Sequence, residues 1–230
     1  MLHNTRRMNS ASIPSLPTAP IAVPRKPSAA RLRKIGHILC AAERHFALLG
    51  YEGAPLELIA QDAGFSRHNL LYYYPSKEVL YQTVLDSIFS DWLNHMTELS
   101  QEGEPAVQIR RYIREKFVFA QARPFASQLF TKEMIAGAPF AGAAVRERFG
   151  PLLASNVAAF EHWAQQGLIA QVNFTHLMFT IWAVTQGYVD QRTQFALLQD
   201  KEELGQADYA QAEALLVRMV SATLKIDLPE

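Results

Sequence analysis

The sequence predicts an all-α protein with a small N-terminal three-helix unit and a larger helical domain behind it. Three observations predict this fold class. Apolar residues recur at steps of three and four through most of the chain after Pro27. No run of β-branched residues alternates over the length of a strand. Glycine and proline divide the helical pattern into segments of ordinary helix length.

Four helices are predicted in the first hundred residues. Residues 1–27 hold five of the twelve prolines and no acidic residue, so they predict a flexible basic arm. Gly50 ends the first helix, Gly64 permits the turn between the second and third, and Ser66 is placed to cap the third. The predicted bounds are about 32–49, 55–63, 67–74 and, after Ser76, from Lys77 through Trp92. Short connections with a glycine turn make the first three a helix-turn-helix unit.

Six further helices are predicted beyond residue 100. Their ends are set by the glycines and prolines that interrupt the helical period. The predicted bounds are about 105–121, 125–136, 143–149, 151–167, 174–198 and 207–225.

The charge is divided unevenly along the 230 residues, although the formal net charge is zero. Residues 1–77 contain ten lysines and arginines against four acidic residues, hence +6. The rest of the chain contains twelve against eighteen, hence −6. Such asymmetry indicates a basic module that binds nucleic acid or a membrane surface, followed by an acidic one.

Cysteine usage and the absence of targeting signals indicate the compartment. Cys40 is the single cysteine, so one chain can form neither an internal disulfide nor a thiolate-rich metal site. Its apolar neighbours Leu39 and Ala41 predict that its side chain is buried. No stretch reads as a secretory signal or approaches the roughly 18 apolar residues of a membrane span. A cytoplasmic protein without a membrane partner is the expectation.

The third predicted helix has the composition of a DNA recognition helix. A guanidinium can donate two hydrogen bonds to guanine and an amide can pair with adenine, so Arg67 and Asn69 suit base edges. Leu70 and Tyr74 are four residues apart and suit the buried face. The predicted DNA-binding residues are Ser66, Arg67, His68, Asn69, Tyr72, Tyr73 and Lys77, the last of them for a phosphate. The alternative is that the charged residues form an ordinary solvated surface and the tyrosines belong to the core.

The segment from Leu56 to Leu80 resembles the signature of the TetR family of transcriptional regulators. The shared pattern is Ile-Ala, two residues, Ala-Gly, an apolar residue and Ser, followed by aromatic residues and Ser-Lys-Glu. Leu71 stands where most members have tyrosine, and Ala54-Pro55 replaces a threonine that often contacts phosphate. The resemblance implies a homodimer that binds a palindromic operator in double-stranded DNA and responds to a small effector.

A closer resemblance, to pyrimidine-responsive members of that family, extends into both halves of the chain. The matching runs are Asn69 to Lys77, Phe130 to Pro139 and Phe179 to Tyr188. This resemblance implies that uracil, thymine or a related breakdown product is the effector. It also implies three segments: the arm at 1–27, a helix-turn-helix DNA-binding domain at 28–76, and a helical ligand-binding and dimerisation domain at 77–230.

A ligand pocket between helices needs aromatic walls and a few convergent polar groups. Trp182 and Gln186 are four residues apart, so they share a helix face on which an indole could stack on a planar base and an amide could pair with its edge. The predicted ligand-binding residues are Trp92, Phe130, Met134, Trp182, Thr185 and Gln186, with Lys132 or Glu133 as a further polar contact. The alternative is that Trp182 and Phe179 are ordinary core residues.

Dimerisation is expected through the predicted helices 151–167 and 174–198, paired with their symmetry mates in a four-helix bundle. The candidate apolar residues of this interface are Leu153, Val157, Phe160, Leu177, Ile181 and Val184. A ligand in the pocket would shift the helix that starts at Lys77 and thereby change the separation of the two recognition helices.

No catalytic residue, metal ligand or cofactor is predicted. The seven histidines include no pair at four-residue spacing, and the chain has no glycine-rich phosphate loop. Two alternatives to a pyrimidine-responsive regulator stay open. One is a regulator of another pathway with an unrelated ligand, and the other is a ligand-independent DNA-organising protein.

Overall fold

A computed structural model describes residues 28–95 and 98–229 as helices joined by short connections. The helices are α1 (Ala29–Gly53), α2 (Leu56–Asp62), α3 (Arg67–Tyr73), α4 (Lys77–His95), α5 (Pro105–Ala122), α6 (Pro124–Ile135), α7 (Gly142–Ala144), α8 (Gly150–Gln165), α9 (Phe174–Asp190), α10 (Arg192–Leu197) and α11 (Gln206–Leu224), with a π-helical turn at Val145–Phe149. The described ranges contain no strand, and the all-α prediction is confirmed. The arm predicted for residues 1–27 lies outside them.

The turn between α2 and α3 follows from local sequence. Gly64 has φ +79°, in the left-handed region that glycine enters without steric cost. The Ser66 hydroxyl accepts a hydrogen bond from the Asn69 amide at 3.2 Å and so caps α3. Ile59 of α2 and Leu70 of α3 are fully buried, which holds the two short helices against each other.

The first of two apolar cores joins the N-terminal helices to α6. Its fully buried residues include Ile38 and Phe46 of α1, Leu70 of α3 and Leu80 of α4. Leu129 of α6 belongs to the same cluster. The helix-turn-helix unit, α4 and α6 therefore share one continuous apolar core.

The second core lies between α5, α8, α9 and α11. Phe117 of α5, Trp163 of α8, Ile181 of α9 and Leu216 of α11 are all buried in it. The Trp163 indole also donates to the Gln101 carbonyl at 3.1 Å, so its one polar atom is satisfied.

The predicted stop at Gly50 is confirmed, because Gly50 has non-helical backbone with φ +74°, and the residues from there to Gly53 form a short further turn after this kink in α1. Two other helix bounds differ from the sequence prediction. The helix predicted over 174–198 breaks at Gln191, where the backbone is not helical. The sequence has no glycine or proline at this point, so the break could not be predicted from it. The predicted break at Gly150-Pro151 is absent, because the widened π-helical turn before α8 accommodates the ring and missing N–H of Pro151.

Side-chain burial corrects two further predictions. Cys40 is exposed, because α1 turns Ile38, Ala41 and Ala42 towards the core and Cys40 away from it. Among the candidate interface residues, the buried ones are Phe160, Leu177 and Ile181, and these pack within one protomer. An inward helix stripe and an interface stripe share the same period, so spacing alone could not separate them.

No helix within the described residues is long and apolar enough to cross a membrane.

Candidate functional site

The start of α3 presents an exposed polar surface. Its exposed residues are Ser66, Arg67, His68, Asn69 and Tyr72. Leu70 and Tyr74 face the interior, and only 7% of Tyr74 is accessible to solvent. A recognition helix requires this division, because its N-terminal residues must reach base edges while its other face packs on the protein.

Two contacts orient the side chains around this surface. The Arg67 Nε atom lies 3.2 Å from the Glu57 Oε1 atom, so α2 holds the guanidinium at the start of α3. Tyr73 is partly buried against Phe65, and the Arg31 guanidinium carbon lies 5.6 Å from the centre of its ring. Tyr73 therefore joins the start of α1 to α3, whereas Tyr72 is free to contact DNA.

Lys77 is engaged by the protein itself. Its ammonium donates to the Glu52 carbonyl at 2.9 Å and lies 5.1 Å from the centre of the Tyr51 ring. It thereby stabilises the last turn of α1. A phosphate at this position would share the ammonium with that carbonyl.

A cavity of about 250 Å³ lies between α4, α5, α6, the π-helical turn and α9. The lining residues are Trp92, Lys116, Phe130, Val145, Phe149, Trp182, Ala183 and Gln186. A further space of about 20 Å³ adjoins it at Trp92, Lys116 and Gln186. The main cavity is smaller than the pockets that hold drug-sized molecules, so it suits a ligand of about one ring.

Two larger grooves lie elsewhere on the described surface. One of about 910 Å³ runs between α5 and α11 and has no aromatic residue in its lining. The other, of about 600 Å³, lies beside α10 and has one, Tyr209. The smaller cavity differs from both grooves in having four aromatic residues and polar groups in its lining, as ligand pockets do.

Lys116 of α5 lies between two indole rings of the cavity. Its ammonium is 5.6 Å from the ring centre of Trp92 and 5.5 Å from that of Trp182. Indole faces attract a cation, and this attraction strengthens where water is excluded. Burial nevertheless lowers the pKa of Lys116 to about 8. The side chain thus carries its proton at neutral pH and can donate to a ligand oxygen.

The two indole N–H groups of the cavity differ. The Trp182 Nε1 atom donates to the Tyr112 hydroxyl at 2.5 Å. The Trp92 Nε1 atom is buried and has no hydrogen-bond partner among the residues described. An unsatisfied buried donor costs roughly 1–3 kcal/mol, so this indole N–H is a local energetic cost of the packing around Trp92.

The amide nitrogen of Gln186 is fully engaged. It lies within hydrogen-bond distance of Thr131 Oγ1, at 3.1 Å, and of the two Asp190 carboxylate oxygens, at 3.0 and 3.1 Å. The Ser127 hydroxyl is a further partner. An amide has only two N–H hydrogens, so these acceptors leave none for a ligand. Its carbonyl oxygen has no partner within residues 28–95 and 98–229 and is free to accept one.

Two successive segments of the chain match known protein families. Residues 38–84 match "Bacterial regulatory proteins, tetR family", and residues 85–227 match the C-terminal region of YcdC-like proteins. The chain belongs to the TetR family. TetR proteins are transcriptional regulators rather than enzymes, so the prediction that this chain is not an enzyme is confirmed by its family.

Among TetR relatives, the HTH-type transcriptional regulator RutR of Escherichia coli K12 is 40% identical over 153 residues, which is 66% of this chain and 72% of RutR. A proposed regulator from Streptomyces coelicolor has a similar fold, with a TM-score of 0.64, 21% identity, and coverage of 85% of this chain and 99% of that one. A TetR-like regulator from Rhodococcus sp. RHA1 also has a similar fold, with a TM-score of 0.62 and 18% identity. The match covers 86% of this chain and 99% of that one.

The TetR fold brings together four of the six residues predicted for ligand binding. Trp92, Phe130, Trp182 and Gln186 all line the cavity, although they come from three helices. Thr185 lines only the small adjoining space, and its hydroxyl donates within its own helix.

Met134 and two polar candidates are placed elsewhere. Met134 packs against the first core and lines neither space. The predicted polar contact from Lys132 or Glu133 is wrong. Lys132 donates to the Leu48 carbonyl at 3.0 Å, and the buried Glu133 carboxylate accepts three hydrogen bonds from the protein.

Sequence reasoning missed Lys116, which supplies the cation of the cavity. The signal was present, because Lys116 falls on the apolar stripe of α5 formed by Ile109, Tyr112, Ile113 and Phe117. A lysine on the apolar stripe of a helix is uncommon, and such a residue is a candidate functional group. Across the described residues, no group of three or more His, Cys, Asp or Glu side chains could hold a metal ion.

Arg67→Ala should remove about 1–3 kcal/mol of discrimination at one base pair, because a bidentate contact to guanine is lost. Binding to random DNA should change by less than about twofold. Fluorescence anisotropy on a selected palindromic duplex and its single-base variants measures both. Arg44→Ala is the matched control, since Arg44 is an exposed arginine of α1 that is paired with Asp62 at 2.5 Å. Equal losses on selected and random DNA would remove Arg67 from base recognition.

Proposed function

We propose that this TetR regulator binds a palindromic operator as a homodimer and changes its operator affinity when a pyrimidine such as uracil or thymine, or a related breakdown product, occupies the cavity. The observation that carries the proposal is the convergence of Lys116, Trp92 and Gln186 on one aromatic cavity. The resemblance to pyrimidine-responsive regulators supports the same ligand class. The proposed place of action is the cytoplasm, which holds the bacterial chromosome.

The polar groups of the cavity complement a cyclic diamide. Uracil presents ring N–H donors and carbonyl acceptors around a flat ring. The Gln186 carbonyl can accept one N–H, and the Lys116 ammonium can donate to a carbonyl oxygen. The Trp182 ring, which Tyr112 holds through its N–H, offers a fixed face for stacking.

The homodimer and its operator are supported by two surfaces. The exposed polar start of α3 supports reading of the major groove, and a two-fold dimer matches two half-sites. Apolar residues are exposed on the last long helices, at Phe179 of α9 and at Leu215 and Met219 of α11. Such residues suit an isologous interface between two copies of the chain.

Gln186→Ala should weaken uracil binding by at least about tenfold, because the acceptor for a ligand N–H is lost. Uracil at a hundred times its dissociation constant should stabilise the wild type by about 2.7 kcal/mol, and thermal-shift titration measures this. Operator affinity should stay within about threefold of the wild type. Gln194→Ala, at an exposed position of α10, is the control.

Two outcomes contradict different parts of the proposal. An undiminished uracil response in Gln186→Ala would show that the ligand binds elsewhere. A wild type that responds to no pyrimidine or pyrimidine breakdown product would favour the alternative, a TetR regulator with an unrelated ligand.

A further inference from the structure

The π-helical turn Val145–Phe149 contacts the cavity on one side and α4 on the other. Val145 and Phe149 line the cavity. The Phe149 ring meets Phe89 of α4 edge-on, with centres 5.5 Å apart, and Trp92 of α4 in the same way at 5.9 Å. A ligand in the cavity would therefore touch the turn directly.

Arg148, the neighbour of Phe149 in this turn, holds α4 by its side chain. Its Nη2 atom donates to the Ser90 hydroxyl at 3.1 Å, and its Nη1 atom lies 3.5 Å from a carboxylate oxygen of Asp86. Its guanidinium carbon lies 5.8 Å from the centre of the Phe89 ring. The Arg148 side chain, which is 30% exposed, thus contacts three residues of α4.

Helix α4 connects the residues that Arg148 contacts to the recognition helix. It begins at Lys77, directly after the α3 segment, and its buried Leu80 packs in the same core as Leu70 of α3. On its other side, Arg123 at the α5–α6 junction pairs with Asp91 of α4 and Glu43 of α1. That second ion pair ties α4 to α1, so the two helices would move together.

The backbone hydrogen bonding of the turn differs from that of the helices on either side. A π-helical turn pairs residue i with i+5, so conversion to the α-helical i+4 pairing would shift the side chains that follow. Such turns are rare and are frequently found at functional sites. A ligand can change operator affinity only if the protein has two arrangements and the ligand binds one of them more tightly.

We propose that Arg148 is a positioning residue that transmits occupancy of the cavity to α4 and so to the recognition helices. The proposal rests on the proposed function only in taking this cavity as the effector site. Arg148 does not line the cavity, and it lies in the turn before α8 rather than in the helix-turn-helix unit. Its removal should uncouple the two binding events while leaving each of them intact.

The first test measures coupling with uracil as the probe. A palindromic duplex selected from a random library by the wild type serves as operator. The ratio of its dissociation constants with and without saturating uracil should be at least about fivefold for the wild type and below about twofold for Arg148→Ala. The separate affinities for duplex and uracil should stay within about threefold. Arg146→Ala, an exposed arginine of the same turn, should keep the wild-type ratio. A wild-type ratio in Arg148→Ala overturns the proposal.

The second test needs no ligand. Ala183→Phe adds a ring at an exposed position of the cavity wall. It should change operator affinity at least about fivefold when Arg148 is present, but less than about twofold in the Arg148→Ala background. Ala183→Met replaces it if the phenylalanine variant does not unfold cooperatively. Equal changes in both backgrounds, or no change with Arg148 present, overturn the proposal. If uracil fails to bind but Ala183→Phe acts through Arg148, the proposed ligand is wrong and the role of Arg148 stands.

Discussion

Glu133→Ala should lower the free energy of unfolding by about 3–5 kcal/mol, because three donors lose their acceptor. The Glu133 carboxylate is 2% exposed and accepts hydrogen bonds from the Tyr81 hydroxyl at 2.9 Å, the Phe140 amide at 2.6 Å and the Ala141 amide at 2.9 Å. Removing it leaves three buried or partly buried donors without an acceptor, each at a cost of roughly 1–3 kcal/mol. Burial and this hydrogen bond raise the pKa of Tyr81, so its hydroxyl stays protonated as the donor.

Two variants separate the loss of hydrogen bonds from other effects of mutating α6. Tyr81→Phe removes one of the three donors and should cost about 1 kcal/mol. Ile135→Ala, at a position of the same helix that is 82% exposed, should stay within about 0.5 kcal/mol of the wild type. Urea denaturation followed by circular dichroism measures all three. A loss below about 1 kcal/mol for Glu133→Ala would show that the loop after α6 finds other partners.

The helix-turn-helix unit could be predicted residue by residue because its determinants are local. Gly64 adopts the positive φ that the tight turn needs, and Ser66 caps the helix that begins at the next residue. Leu70 and Tyr74 are buried as their spacing predicted. Each of these effects depends on residues within four positions of one another, so no tertiary information was needed.

The cavity could be predicted only in part because its walls come from distant positions. Trp182 and Gln186 were found together since they share one helix face. Lys116 reaches the same cavity from α5, and nothing near it in sequence shows that Trp92 lies on one side of it and Trp182 on the other. The pairing of separate helices is a property of tertiary packing.

The partners of the polar residue Glu133 also could not be predicted from the sequence. Its place beside Phe130 in a run that resembles pyrimidine-responsive regulators suggested a ligand contact. The acceptor is instead used by Tyr81 and by two backbone amides of the loop after α6. A buried carboxylate must be paired, but the sequence does not say with what.

Uracil affinity should fall by about tenfold between about pH 7 and about pH 9, because Lys116 loses its proton in this interval. With a pKa of about 8, its amine is mostly charged at the lower pH and mostly neutral at the higher one. A charged donor binds a carbonyl oxygen more strongly than a neutral one, so affinity falls as pH rises. Burial raises the pKa of Tyr112, which therefore keeps its proton throughout and continues to hold Trp182.

Lys116→Gln separates this titration from any change in the ligand itself. The glutamine keeps a neutral N–H donor, so the variant should bind uracil more weakly than the wild type at the lower pH but with a flat profile across the same interval. Isothermal titration calorimetry at matched ionic strength measures both profiles, and the proton uptake on binding should disappear in the variant. A parallel fall in the two proteins would assign the pH dependence to uracil or to another group, and would remove the Lys116 ammonium from the binding site.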